Sequence, residues 1–228
     1  MPDDDLRAAK ERGWRELAPV DEALRRGEID EDEWHRRVLA IVEPAYLSAT
    51  TPRGGSGHGG DAARWEHARR VLLVAVDRDG TFLDVGCANG LLMESVEAWA
   101  AEDGRRVTAC GVEISAPLAD LARSRLPGHA DRIWAANAAL WEPPRRFTFV
   151  RTGPDYVPAG RLGGYLLHLL DACVEPGGRL VLGTYNEEHD ADAVAEAVAA
   201  AGLRIAGRAS REHRHPALRY KVLWIDAD

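Results

Sequence analysis

The chain has 228 residues, 46% of them hydrophobic and 29% charged, which suits one globular domain with an appendage and excludes two full domains. A formal net charge of −8 gives no general pull toward phosphate backbones, and no run approaches the roughly 20 apolar residues that span a bilayer. Three widely separated cysteines, Cys87, Cys110 and Cys173, show no C-x-x-C or Cys/His metal spacing, so reduced thiols, no metal and a small-molecule partner are expected.

The first residues, MPDDDLRAAKERGW, are acidic where a secretory leader would be basic and then apolar, and predict a cytoplasmic protein. Residues 4 to about 46 read as helical, with Pro19 interrupting the first segment; Asp30 is the expected N-cap of the second, which Pro44 should stop. TTPRGGSGHGG (50–60) is too rich in glycine for a helix or an interior strand. Asp61 should cap a helix whose apolar face carries Trp65, Ala68, Val71, Leu72 and Ala75.

Strands and helices then alternate. Strands are predicted at 81–85, 106–112, 132–138, 147–151 and 179–185, with helices at 90–102, 115–126, 160–174 and 189–201; Gly104, Gly128 and the pair Gly177, Gly178 supply stops. This alternation argues for parallel βαβ units in a doubly wound α/β sheet. LRIAGRAS and ALRYKVLWIDA, joined only by REHRHP, should pair antiparallel as a closing hairpin, with His213 and His215 exposed in its turn. The expected organisation is an N-terminal helical extension with a Gly-rich lid or linker (1–60) and a Rossmann-like body (61–228).

The stretch TFLDVGCANG (81–90) places a glycine loop and a helix N-terminus at the carboxyl edge of the sheet, where open α/β folds bind ligands. A triphosphate loop is excluded, because Leu91 follows Gly90 where lysine and a hydroxyl are required. A nicotinamide fingerprint would need glycines at the positions of Ala88 and Leu91, which leaves a dinucleotide as a minor alternative. What remains is Asp84-x-Gly86-x-x-x-Gly90 followed by Glu113 at the end of the second strand.

With these motifs the sequence resembles the class I methyltransferases dependent on S-adenosylmethionine, and in detail actinobacterial members of that family. The resemblance runs from Ser56 to the C-terminus and implies a seven-stranded Rossmann-like sheet. It implies that Asp84, Gly86, Cys87, Ala88 and Gly90 cradle the methionine portion, that Glu113 with Ile114 takes the ribose, and that Asn137 and Ala138 grip the adenine edge. Arg151 is a further cofactor-side candidate, or one that pairs with an anionic acceptor. Ala88 in place of a glycine, Leu140 and Thr148 depart from the family pattern.

The implied reaction moves a methyl group to a small molecule, leaving S-adenosylhomocysteine, mainly by alignment. Acceptor-side candidates are His58 as a base, with Tyr156 and Asp155 lining the pocket. Trp65 and Trp141 are candidates to pack on the cofactor, and Tyr185, Glu187 and His189 cluster after the fifth strand. The helical extension is expected to cover the pocket or form a homodimer contact. Rival readings are an RNA methyltransferase of the same fold, supported if PPRR, Arg211, Arg214 and Arg219 share one face, and a non-catalytic cofactor-binding protein.

Overall fold

The computed structural model describes residues 15–58, 60–188, 192–214, 216 and 218–228, with only the backbone of 185–188. Helix α1 (15–25) leads to α2 (Glu31–Leu47), then α3 (Ala62–Arg69), α4 (Leu91–Glu102), α5 (Ala116–Arg125), α6 (Leu162–His168) and α7 (Ala193–Ala200). The strands are β1 (Gly80–Val85), β2 (Val107–Glu113), β3 (Ile133–Ala135), β4 (Phe147–Thr152), β5 (Val174–Glu188), β6 (Gly207–Glu212) and β7 (Leu218–Asp226). They form one seven-stranded sheet in the order β3-β2-β1-β4-β5-β7-β6. β1 to β5 are parallel, and β7 runs antiparallel to both β5 and β6. The doubly wound sheet with its closing hairpin is therefore present.

Both faces of the sheet are covered, which is why its strands read as near-continuous apolar runs. One core holds Leu83, Val85 and Val150 with Leu166 of α6 and Val198 of α7; the other holds Phe82 and Phe149 with Trp65 of α3 and Met93 of α4. Alternation along β1, Phe82 to one face and Leu83 to the other, follows from the two-residue strand period. Beside the second core, Gly111 of β2 makes room for two sulfur atoms. A Cβ there would lie 2.6 Å from Cys87 Sγ and 2.8 Å from Met93 Sδ.

Several predicted boundaries move. Pro19 lies inside α1 and Pro44 inside α2, so neither breaks its helix. Both prolines are exposed, as are Arg15 and Ala40 four residues before them, so each sits on the solvent side of its helix, where a lost backbone hydrogen bond costs least. The predicted caps hold: Asp30 accepts from Glu33 N and Asp61 from Arg64 N, each at 2.8 Å. After α3 the chain tightens into a 3-10 stretch, Arg70–Val74, and the glycine run contains one short 3-10 turn, Gly54–Ser56. Gly177 and Gly178, read as a helix stop, lie within β5, where the register against β4 shifts between Phe147 and Phe149. β3 is three residues where seven were predicted, and a π-helical turn, Leu169–Cys173, ends the helix before β5.

Candidate functional site

The loop between β1 and α4 is built by three successive left-handed or capping positions. Gly86 has φ +68° and Gly90 φ +76°, values that glycine adopts without a steric penalty. Between them Ala88 has φ +48°, which costs an L-residue about 1–2 kcal/mol. Its N–H points at the second strand and donates to Glu113 Oε2 at 2.8 Å, while Ser115 N donates to Oε1 at 3.0 Å. Hydrogen bonds to a charged acceptor contribute roughly 1.5–3 kcal/mol and offset the strain. Glu113 is 6% exposed; burial raises its pKa, and the N–H groups of Ser115, Ala88 and Ile114 oppose the rise. Each carboxylate oxygen keeps a lone pair for a further donor.

Asp84, next to last in β1, is also buried. Burial pushes its pKa up to about 6 against the pull of Arg151, whose Nη1 donates to Asp84 Oδ1 at 3.2 Å. The same nitrogen donates to Tyr156 Oη at 2.8 Å. Tyr156 lies over Gly86: a Cβ on that glycine would be 2.8 Å from the ring. Arg151 therefore faces inward, in a buried ion pair, and does not solvate the end of β4. Asp155, two residues past Gly153, is exposed. Cys87 is buried, its thiol raised well above the ordinary range first by burial and then by Asp84 and Glu113. Ile114 is half-buried.

In the loop after β3 Asn137 Oδ1 accepts from Ala139 N at 3.1 Å, an Asx turn that fixes that loop, and Ala138 is buried. Trp141 stacks on Trp134, ring centroids 5.3 Å apart, and Trp65 donates from Nε1 to Ser95 Oγ at 2.9 Å within the second core. Both tryptophans thus pack against the protein itself. Leu140 is 74% exposed. Thr148 sits near the start of β4, away from the carboxyl edge, and its Oγ1 accepts from Thr81 N at 3.0 Å.

The N-terminal extension closes over this cradle. Ser56 Oγ donates to Asn89 Oδ1 at 2.6 Å, and Asn89 Nδ2 donates to the Pro52 carbonyl at 2.7 Å. Glu43 accepts from Ser115 Oγ, the Tyr156 carbonyl accepts from His35 Nε2 at 3.3 Å, and Arg161 pairs with Glu31 at 2.5 Å. Tyr46 is half-buried; burial and the charge of Glu113 raise its pKa, with Arg69 and Arg151 opposing. Asn89, Tyr46, Ser56 and Ser115 were missed in the sequence. Only Asn89 carried a signal: as the residue before Gly90 it offers Oδ1 to Leu91 N, 3.2 Å away, at the start of α4.

His58 is buried against Trp65, centroids 5.3 Å apart, and is not the exposed linker histidine that the glycine run suggests. Burial first, then the charges of Arg69, Arg64 and Arg53, lower its pKa to about 4, so the ring is neutral at pH 7. Its Nε2 is buried and has no hydrogen-bond partner. His213 is likewise buried, packed on Tyr220 at 4.8 Å, which corrects its expected exposure. His189 and His215 lie outside the described residues, as do the side chains of Tyr185 and Glu187. No group of three metal-binding side chains is found among the described residues. No helix among them is long and apolar enough to cross a membrane.

The basic residues do not share one face. Arg145 and Arg146 precede β4 at the amino edge of the sheet, whereas Arg211, opposite Tyr220, and Arg219, opposite Glu212, lie at the carboxyl end of the β6–β7 hairpin.

No family model matches the chain, and no curated protein matches it in sequence. Solved structures are similar in fold. The N-methyltransferase NodS from Bradyrhizobium japonicum, in complex with S-adenosylhomocysteine, is 13% identical, with 82% of this chain and 97% of that one covered and a TM-score of 0.61. The 1,6-didemethyltoxoflavin-N1-methyltransferase of Burkholderia thailandensis, with its substrate and S-adenosylhomocysteine bound, is 19% identical, covering 87% and 91%, TM-score 0.63. Magnesium protoporphyrin IX methyltransferase from Synechocystis, with S-adenosylmethionine bound, is 15% identical, covering 88% and 98%, TM-score 0.56.

Proposed function

We propose that the chain binds S-adenosylmethionine in the cradle between β1 and β2 and catalyses methyl transfer to a small-molecule acceptor. The observation that carries this reading is Glu113: a buried carboxylate at the end of β2, tied to the left-handed turn at Ala88, with acceptor capacity left for two hydroxyl donors such as a ribose diol. The likeness in fold to methyltransferases holding that cofactor or its product supports it. Three buried, unpaired cysteines suit the reducing cytoplasm.

In this reading Asp84, Gly86, Cys87, Ala88 and Gly90 hold the methionine end, Glu113 and Ile114 the ribose, and Asn137 and Ala138 the adenine. When bound, the cofactor supplies an electrophilic methyl group on a sulfonium. Asp84, ionised above about pH 6, attracts the ammonium of the methionine end, and Arg151 has the charge to take its carboxylate. Tyr156 must rotate off Gly86 to admit this end, and then borders the acceptor together with Asp155. The extension from α2 to Gly60 acts as a lid that excludes water. His58, neutral and weakly basic in that lid, accepts a proton only from an acidic acceptor, so alignment does most of the work.

Calorimetric titration with S-adenosylhomocysteine tests this directly. Glu113→Ala should weaken binding by about 1–3 kcal/mol, the loss expected for hydrogen bonds to a charged group. An unchanged affinity in the folded variant would remove the ribose role. Incubating a metabolite extract with methyl-labelled cofactor then identifies the acceptor.

A further inference from the structure

We propose that a recess beside the β6–β7 turn is an oxyanion site, and that it holds the carboxylate or phosphate end of the acceptor. The identity of that ligand rests on the methyl-transfer reading; the site itself does not. The recess has a volume of 680 Å³ and is lined by Gly60, Arg64, His67, His213, Arg214 and Tyr220, among others. It lies at the carboxyl edge of the sheet, since the turn after β6 faces the same way as the end of β5.

Most half-buried arginines among the described residues are neutralised by a carboxylate, and two here, Arg64 and Arg53, are not. Arg70, Arg105, Arg125, Arg151 and Arg179 each pair with a carboxylate. Arg64, half-buried, has only the Tyr220 hydroxyl 3.5 Å from its Nε and makes no ion pair among the described residues. Neighbouring Arg53, also half-buried, donates from Nε to the Gly60 carbonyl at 3.2 Å and likewise makes no ion pair among them. Of the two, Arg64 lines the recess and Arg53 lies behind its Gly60 wall; in a protein with eight more acidic than basic side chains, a partly desolvated guanidinium left without a carboxylate favours an anion from outside.

A second observation points to the same place. His58, more than nine-tenths buried, directs the Nε2 that lacks a partner toward Gly60, which lines the recess; a Cβ on Gly60 would be 2.7 Å from that nitrogen and 2.7 Å from Arg64 Cδ. Two carboxylates also line the recess: Asp61, whose Oδ1 caps α3, and the exposed Glu212, 3.9 Å from Arg219. β1 and β7 are three strand spacings apart in the sheet, about 14 Å. An acceptor anchored here is therefore an elongated molecule with its anionic group on the order of 10–15 Å from the methylated atom.

The test uses the whole protein at low ionic strength, titrated with inorganic phosphate and separately with acetate, following the ring resonances of His67 and His213. Saturable shifts on the order of a millimolar are expected, with the tighter of the two ions naming the group. Arg64→Gln should weaken binding about tenfold or more while leaving the affinity for S-adenosylhomocysteine unchanged. If Arg64→Gln fails to fold, Arg214→Gln, on the opposite wall of the recess, serves the same purpose. Shifts that do not saturate with either ion, or saturation indifferent to both variants, overturn the site. Saturable phosphate binding by a protein that does not bind S-adenosylhomocysteine would keep the site and sink the methyl-transfer reading instead.

Discussion

Around Glu113 and Asp84 the polar atoms are satisfied from within the sheet, by backbone N–H groups and by a guanidinium from the adjacent strand. The cover laid over them, from α2 to Gly60, reaches the body through side chains instead: Ser56 to Asn89, Glu43 to Ser115, Glu31 to Arg161. Removing a part of the cradle leaves a buried charge without its partner. Removing a part of the cover exposes groups that water can serve. In the proposed reading, a cradle fixed from below under a cover held by side-chain contacts suits a site that must admit a ligand and then exclude water.

The largest effect should come from the cradle. Arg151→Met leaves the Asp84 carboxylate buried and uncompensated, a loss of about 3–5 kcal/mol in urea denaturation at pH 8. Because burial already raises the Asp84 pKa to about 6, the loss should shrink toward pH 5 as the carboxyl takes up a proton. A penalty equal at both pH values would mean that the ion pair is not what holds this corner. Ser56→Ala should cost less, about 0.5–1.5 kcal/mol, and only locally: faster amide exchange over 50–58 with global stability unchanged. If global stability falls by the same amount, cover and cradle unfold as one unit and the contrast fails.

The smallest effect at neutral pH is expected for His58→Gln. The folded imidazole has its pKa lowered from 6.5 to about 4, so its contribution is complete above pH 6.5 and is lost as pH falls through 4. The Tm difference between the native protein and the variant should therefore narrow steadily from pH 7 to pH 4. A constant difference would place the ring in water.

The cradle was far more legible in the sequence than the cover, for a physical reason. Strand, turn and cap carry their signals locally: apolar runs at Phe82 and Leu83, Gly86 and Gly90 at left-handed positions, Asp30 and Asp61 three residues before the N–H they accept from. Glu113 stood out because its spacing from the loop is set by one βαβ unit. Tyr46 and Ser56 come to the site from tens of residues away, and the contact between Glu43 and Ser115 Oγ spans a similar separation; nothing in their neighbours says so. Pro19, Pro44 and the pair Gly177, Gly178 misled because a local breaking tendency was outweighed, at the prolines by exposure to water and at the glycines by a register shift that absorbs them into β5. His58 misled in the other direction, since a glycine-rich segment reads as solvent-exposed until Trp65 is seen against its ring.

Gly111 has a consequence for how such a chain can change over time. Its missing side chain is volume already claimed by Cys87 and Met93, so the three positions divide one fixed space between them. Any lineage that acquires alanine at 111 must shrink a neighbour in the same step or accept a displaced cradle loop. Variation at 87, 93 and 111 should accordingly be correlated among orthologues, with the summed side-chain volume held nearly constant.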